Sequence, residues 1–170
     1  MIMWSHLARL RVPLGFVCAA VAFWLAHPTP TSFAAGMGIA LLGEAVRVWA
    51  SGHLEKEREV TRSGPYRLVR HPLYAGSAMM GLGFVVAGRN GLSAILVAGY
   101  LSTTLVAAMR MEEATLESRY AGDYAAYRVG RATPMDRSFS LARVIRNREY
   151  RALAGFVGVG LLLWLRMRFA

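Results

Sequence analysis

The sequence predicts an all-α integral membrane protein of about five spanning helices, and three observations predict it. Hydrophobic residues make up 55% of the 170, with a mean hydropathy of +0.36, above the balance of ordinary soluble domains. The apolar residues are gathered into five segments, roughly 12–26, 33–49, 72–88, 91–109 and 152–165. The cations between them alternate: 51–71 holds Lys56, Arg58, Arg62, Arg67 and Arg70, and 110–151 holds nine Arg, whereas 27–32 has none and 88–91 has one. Cytoplasmic loops carry such an excess of Lys and Arg. The expected topology puts the N-terminus, 51–71 and 110–151 in the cytoplasm, in a cytoplasmic or inner membrane, with 27–32 and 88–91 outside. Arg166 and Arg168 then lie outside, against the rule, unless the last helix only dips into the membrane.

A spanning helix needs about 20 mostly apolar residues, with about 17 as a lower limit. The first segment reaches that length if it begins near Trp4 and lets Arg9 and Arg11 snorkel to the surface. It resembles a secretion signal, but "FWLAHPTPTS" offers no small-x-small cleavage site, so a retained helix is expected. Its Cys18, the single cysteine, excludes an intrachain disulfide and a cysteine-based metal site; no metal is expected. The second segment carries Glu44 and Arg47. Charges inside a membrane segment are costly and often functional, and residues three apart on a helix can pair. A structural pair and a role near a substrate path both stay open.

The third and fourth segments meet at "AGRNGLS" (87–93), a tight turn. They form a hairpin whose ends return to one surface, bringing Tyr74 close to Glu112. Segments two and three are rich in Gly and Ala, which lets membrane helices approach closely. After Met109 the chain turns polar but stays helical, with a break expected at "YAGDY" (120–124). Residues 138–153 are expected to form a helix, either on the membrane surface or solvated, leading into the short fifth segment. The whole chain, 1–170, reads as one domain: an N-terminal hairpin over 1–50, a core over 60–135, and a surface helix with the last membrane helix over 138–170.

The chemistry concentrates in "GPYRLVRHPLYAG" (64–76). Pro65 and Pro72 fix the backbone and disfavour helix in the residue before each. His71 is therefore expected to be extended at the mouth of a helix that Pro72 begins. That helix end offers free N–H groups and partial positive charge to a carboxylate or phosphate. Arg70 and His71 add donors, Tyr74 points to the same opening, and Gly76 is expected to admit a ligand to the backbone. Opposite lie Glu112 and Glu113, of which at most one faces the opening squarely, because adjacent helical side chains diverge by about 100°. An anion cradle facing a carboxylate, with Tyr66, Tyr74, Tyr124 and Tyr127 nearby to face a cation, permits a zwitterion with a positive sulfur. It does not select one.

The combination Gly64-Pro65-Tyr66, Arg70-His71-Pro72-Leu73-Tyr74-Ala75-Gly76, Glu112-Glu113, Tyr124, Tyr127 and Pro134 resembles the isoprenylcysteine carboxyl methyltransferase family, related to the membrane phospholipid methyltransferases, over about 60–135. The resemblance implies S-adenosylmethionine as cofactor, in a cytoplasmic pocket formed by 51–71, the hairpin and 110–135. It implies a lipophilic or prenylated acceptor arriving from the bilayer. It assigns cofactor contacts to Tyr66, His71, Pro72, Tyr74, Gly76, Glu113 and Tyr127. Arg70, Glu112 and Arg131, or Arg128 in its place, fall at the reaction centre. No glycine-rich loop follows a strand, so a soluble dinucleotide-type methyltransferase fold is not indicated. Net charge +10 could suit a nucleic-acid binder, but the alternation of the cations with apolar segments excludes it. Two other readings remain: a nicotinamide-dependent membrane sterol reductase, whose Arg-His-Pro-x-Tyr pattern is similar but whose chains are longer, and a small transporter using Glu44. Neither the acceptor nor the oligomeric state is legible.

Overall fold

The computed structural model describes residues 2–56 and 58–169, with side chains from Pro13 onward. The expectation that Arg9 and Arg11 snorkel lies outside the described side chains. Among the described residues all regular structure is helical: α1 (Ile2–Trp24), α2 (Pro30–His53), a 3₁₀ turn (Gly64–Arg67), α3 (Pro72–Gly88), α4 (Gly91–Arg128), α5 (Leu141–Arg146) and α6 (Tyr150–Phe169). Three of these, α2, α4 and α6, are long and apolar enough to cross a membrane; α3 and the apolar part of α1 are shorter. Large apolar side chains such as Phe16, Trp24, Leu42, Ile95 and Leu161 point outward. In a lipid-facing protein that is the stable arrangement, because lipid tails are as apolar as these side chains and each helix satisfies its own backbone groups.

Local chemistry sets the helix ends. Thr29 caps α2 in a reciprocal box with Ser32, with Pro30 in the first turn, and Asn90 Oδ1 accepts from Ser93 N at the start of α4. Between them Arg89, not a glycine, takes the left-handed position (φ 51°). The C-terminal carbonyls of α2 are capped from far along the chain. Asn147 Nδ2 donates to Ser51 O and Leu54 O, each at 3.0 Å, Arg143 Nε to Gly52 O at 2.7 Å, and Arg137 Nη1 to His53 O at 3.2 Å. Cations and amide donors suit a helix C-terminus on both hydrogen-bonding and dipole grounds.

The tightest seam joins α2 to α3. A Cβ on Gly43 would lie 2.7 Å from Gly76 O, and Gly36 and Gly83 meet the opposite backbone in the same way. Small residues let the two backbones touch. α1 lies on α4, where Ser93 Oγ donates to Ala22 O at 3.3 Å.

Three expectations are corrected here. The chain does not break at "YAGDY": α4 kinks at Tyr120 (φ −134°, ψ 40°) and continues to Arg128. Residues 138–153 are not one helix. After α5, Asn147 is held by the α2 carbonyls and Arg148 turns left-handed (φ 59°) before α6 begins. The last helix is not short. It starts beside Glu149, which pairs with Arg47 near the C-terminal end of α2. It ends where Arg166 donates to Trp24 O at 2.8 Å and Ala26 O at 2.7 Å. It therefore runs from the level of Arg47 to the C-terminal end of α1, which its terminal cation caps.

Candidate functional site

The 64–76 connector is built on its two prolines and one constrained glycine. Gly64 has φ 54° and sits against the His53 ring, where a Cβ would come within 2.5 Å. Both conditions require glycine. Pro65 opens the 3₁₀ turn, which buries Tyr66. Pro72 is fully buried at the first position of α3. His71, the residue before that proline, has φ −128° and ψ 62°, short of the extended conformation expected. The chain bends into α3, and the His71 side chain does not cap the helix N-terminus.

The kink in α4 closes the site. The apolar stretch of α4 ends near 109, and the polar extension passes over the connector. Tyr127 donates to Tyr66 O at 2.7 Å, and Tyr124 is fully buried. Between extension, connector and α2 lies a cavity of about 590 Å³ whose wall includes Tyr66, Arg70, His71, Tyr74, Glu112 and Tyr127. The hairpin thus brings Tyr74 and Glu112 to one chamber from 38 positions apart. Four of the chain's ten acidic residues line it: Glu55, Glu59, Glu112 and Glu149. Two more, Glu44 and Glu113, pair with residues of its wall. Arg47, Lys56, Arg70 and Arg119 line it too, so charges of both signs meet on one wall, which suits a zwitterionic ligand.

The glutamate pair divides as the helix geometry requires. Glu113 Oε1 lies 3.0 Å from His71 Nε2 and 3.5 Å from Arg70 Nη1, so it braces the connector. Glu112 is on the cavity wall, with His71 Nδ1 3.9 Å away. The hydrogen bond from His71, and beyond it Tyr124 and the charge of Arg70, hold the Glu113 carboxyl below its ordinary 4.5. A depressed value means that the folded state favours the ionised form. That stabilisation is complete above 4.5 and fades as pH falls through the folded value. Melting temperatures in detergent should therefore drop on acidification below 4.5 more steeply in the wild type than in Glu113→Gln; equal slopes would mean that the brace contributes nothing.

Burial pushes the Tyr124 and Tyr127 phenols up to about 12. Burial, then the charge of Glu112, pushes Tyr66 higher still. All three stay neutral and offer rings and hydroxyl dipoles rather than bases.

Four expected site residues are placed elsewhere. Gly76 does not open the backbone to a ligand: it is buried on the α2 seam, where Gly43 O and the Arg47 side chain fill the space. Arg131 is exposed past the end of α4, away from the cavity wall, and Arg128 is paired with Glu117 at 2.8 Å. Pro72 supports α3 from beneath without lining the cavity.

Sequence reasoning placed 51–71 on the pocket but missed the part of the wall that Arg47 of α2 and the 147–149 segment provide. Ser51, Glu55, Glu59, Asn147 and Glu149 all line the cavity. Arg137 pairs with Glu59 and Arg146 with Glu55, each at 2.6 Å. The available signal was Glu44–Arg47: charges placed in an apolar helix need partners, and Glu149 lies 2.7 Å from Arg47 Nη2.

A second cavity, of about 630 Å³, lies inside the bundle among α1, α3, α4 and α6, lined almost wholly by apolar side chains such as Phe16, Phe84 and Leu163.

The polar cavity fits S-adenosylmethionine by the chemistry of its groups. Its volume is in the range of ligand pockets. The α3 N-terminus and Arg70 suit a carboxylate, Glu112 an ammonium, and the neutral tyrosine rings a sulfonium. No curated protein and no solved structure matches the chain. A family model described as phospholipid methyltransferase matches residues 10–123, about two thirds of the chain, including the 64–76 connector and both glutamates.

Proposed function

The chain belongs to the phospholipid methyltransferase family, and from that premise we propose that it transfers a methyl group from S-adenosylmethionine to a lipophilic acceptor at the cytoplasmic face of the membrane. The observation that carries this reading is the polar cavity, where a helix end, Arg70 and His71 oppose Glu112 under a cover of tyrosines. When bound, S-adenosylmethionine supplies a methyl group on a positively charged sulfur. The protein's part is to orient and to exclude water. Arg70 and the first turn of α3 hold a carboxylate, and Glu112 holds an ammonium. Tyr66 and Tyr127, locked together by their hydrogen bond, cover the cationic centre. The apolar cavity beside this chamber supports a lipophilic acceptor. The acceptor chemistry we favour is carboxyl O-methylation of an isoprenylcysteine-like group. A carboxylate is already nucleophilic and needs no base. An acceptor that carries a proton has His71 and Glu112 within the chamber to receive it.

Millimolar S-adenosylmethionine should raise the melting temperature of the protein in detergent. Saturation at 100 times the dissociation constant adds about 2.7 kcal/mol, roughly 5–10 °C for a chain of this size. NADPH should leave it unmoved. A shift with NADPH and none with S-adenosylmethionine would favour the reductase reading instead.

A further inference from the structure

Among the described residues Arg47 alone lines both cavities, and it is the only charged side chain on the wall of the apolar one. Its guanidinium straddles the boundary. Nη2 meets Glu149 Oε1 at 2.7 Å, and Glu149 lines only the polar cavity. Nη1 donates to Ser77 Oγ and, at 3.4 Å, to Leu73 O, and Ser77 lines only the apolar cavity. Nε is buried and has no hydrogen-bond partner, with the Glu44 carboxylate 3.8 Å away. A cation carried on a membrane helix is expensive. Part of its role is to join α2 to α3, since its side chain packs against Gly76 and Nη1 bonds Leu73 and Ser77.

We propose that Arg47 is a positioning residue that holds the acceptor by an anionic oxygen, carboxylate or phosphate, at the floor of the apolar cavity, with Glu149 as the counter-ion on its polar side. This rests on the methyltransferase reading for the purpose of the site, but not for its existence. An acceptor whose chain fills the apolar cavity meets a single cation at its polar end. An anionic oxygen there takes the Nη1 donor that Ser77 Oγ and Leu73 O now share, since the Ser77 hydroxyl itself donates to Leu73 O at 2.9 Å and Nε is buried. A guanidinium suits either anion because its planar fork matches both. Anchored there, the acceptor head stands on the partition between the two chambers.

The test uses the full chain in nanodiscs and three single-chain probes: dodecanoate, dodecyl phosphate and neutral dodecanol. Binding is measured by calorimetry without S-adenosylmethionine. The wild type should bind at least one anion roughly ten- to hundredfold more tightly than dodecanol, the range of a charge-assisted hydrogen bond. Arg47→Gln should abolish the difference. Because that change leaves Glu149 without its cation, Arg47→Lys serves beside it: it keeps the charge, loses the fork and should retain only part of the preference. Glu149→Gln removes the competing carboxylate and should tighten the anions several-fold. A preference for phosphate alone points to a phospholipid head, and for carboxylate alone to a carboxyl acceptor; either supports the anchor. A wild type that treats all three probes alike overturns it, as does a preference that survives Arg47→Gln intact. If the preference holds but S-adenosylmethionine leaves the melting temperature unmoved, the methyltransferase reading fails and the anchor stands.

Discussion

Glu112→Gln is expected to weaken S-adenosylmethionine binding ten- to hundredfold while leaving the fold intact. Glu112 lines the polar cavity and is half exposed to it. Its partner in sequence is spent: Glu113 is held by His71 at 3.0 Å and Arg70 at 3.5 Å. A glutamine keeps the shape and removes the charge that would face an ammonium. A hydrogen bond to a charged group contributes about 1.5–3 kcal/mol, which is the predicted loss. Glu113→Gln should behave differently, costing more in stability and less in affinity, because it loosens Arg70 and His71 without facing the ligand. Equilibrium binding of labelled S-adenosylmethionine to the two purified variants separates these outcomes. A larger affinity loss in Glu113→Gln would reverse the assignment of the pair.

The largest stability effect is expected at the α2–α3 seam. A Cβ on Gly83 would fall 2.5 Å from Gly36 O and 2.7 Å from Ala40 Cβ. These are backbone and Cβ atoms that cannot rotate away, so Gly83→Val must push the helices apart. Overpacking typically costs 1–3 kcal/mol. Separation would also cost the contacts at Gly43 and Gly76, so the upper end applies. About 3 kcal/mol corresponds to roughly 6–12 °C in melting temperature. Gly99→Val is the matched control: nothing lies within 4 Å of a Cβ there, and its effect should be small. Similar losses in both variants would show that helix propensity, rather than the close seam, governs stability.

Much of the architecture was legible because it rests on local rules. Apolar run length located five helices, and the third matched at both ends because Pro72 can only begin it and the turn after Gly88 must end it. The hairpin made the meeting of Tyr74 and Glu112 predictable. The break expected after Arg119 appeared as a kink at Tyr120, since a helix can change direction without losing its hydrogen bonds on either side. The phase of the glutamate pair could not be read, because it depends on how α4 is rotated against the connector, and only the His71 and Arg70 contacts settle that rotation. Gly76 was misjudged for a related reason. Its place in the 64–76 connector suggested a ligand, whereas its face of α3 meets α2.

By itself the sequence determined the helical class, the order of the apolar segments and the motif that carries the family. Each is written in neighbouring residues, through hydrophobic runs, proline and capping chemistry. Only the tertiary structure decided what the remaining charges do. Arg47 finds Glu149 across about a hundred residues, Asn147 and Arg143 close the carbonyls of α2, and Arg166 caps α1. No local rule selects such partners. They follow from the cost of leaving a buried charge or carbonyl unmatched, and which partner arrives depends on how the helices pack.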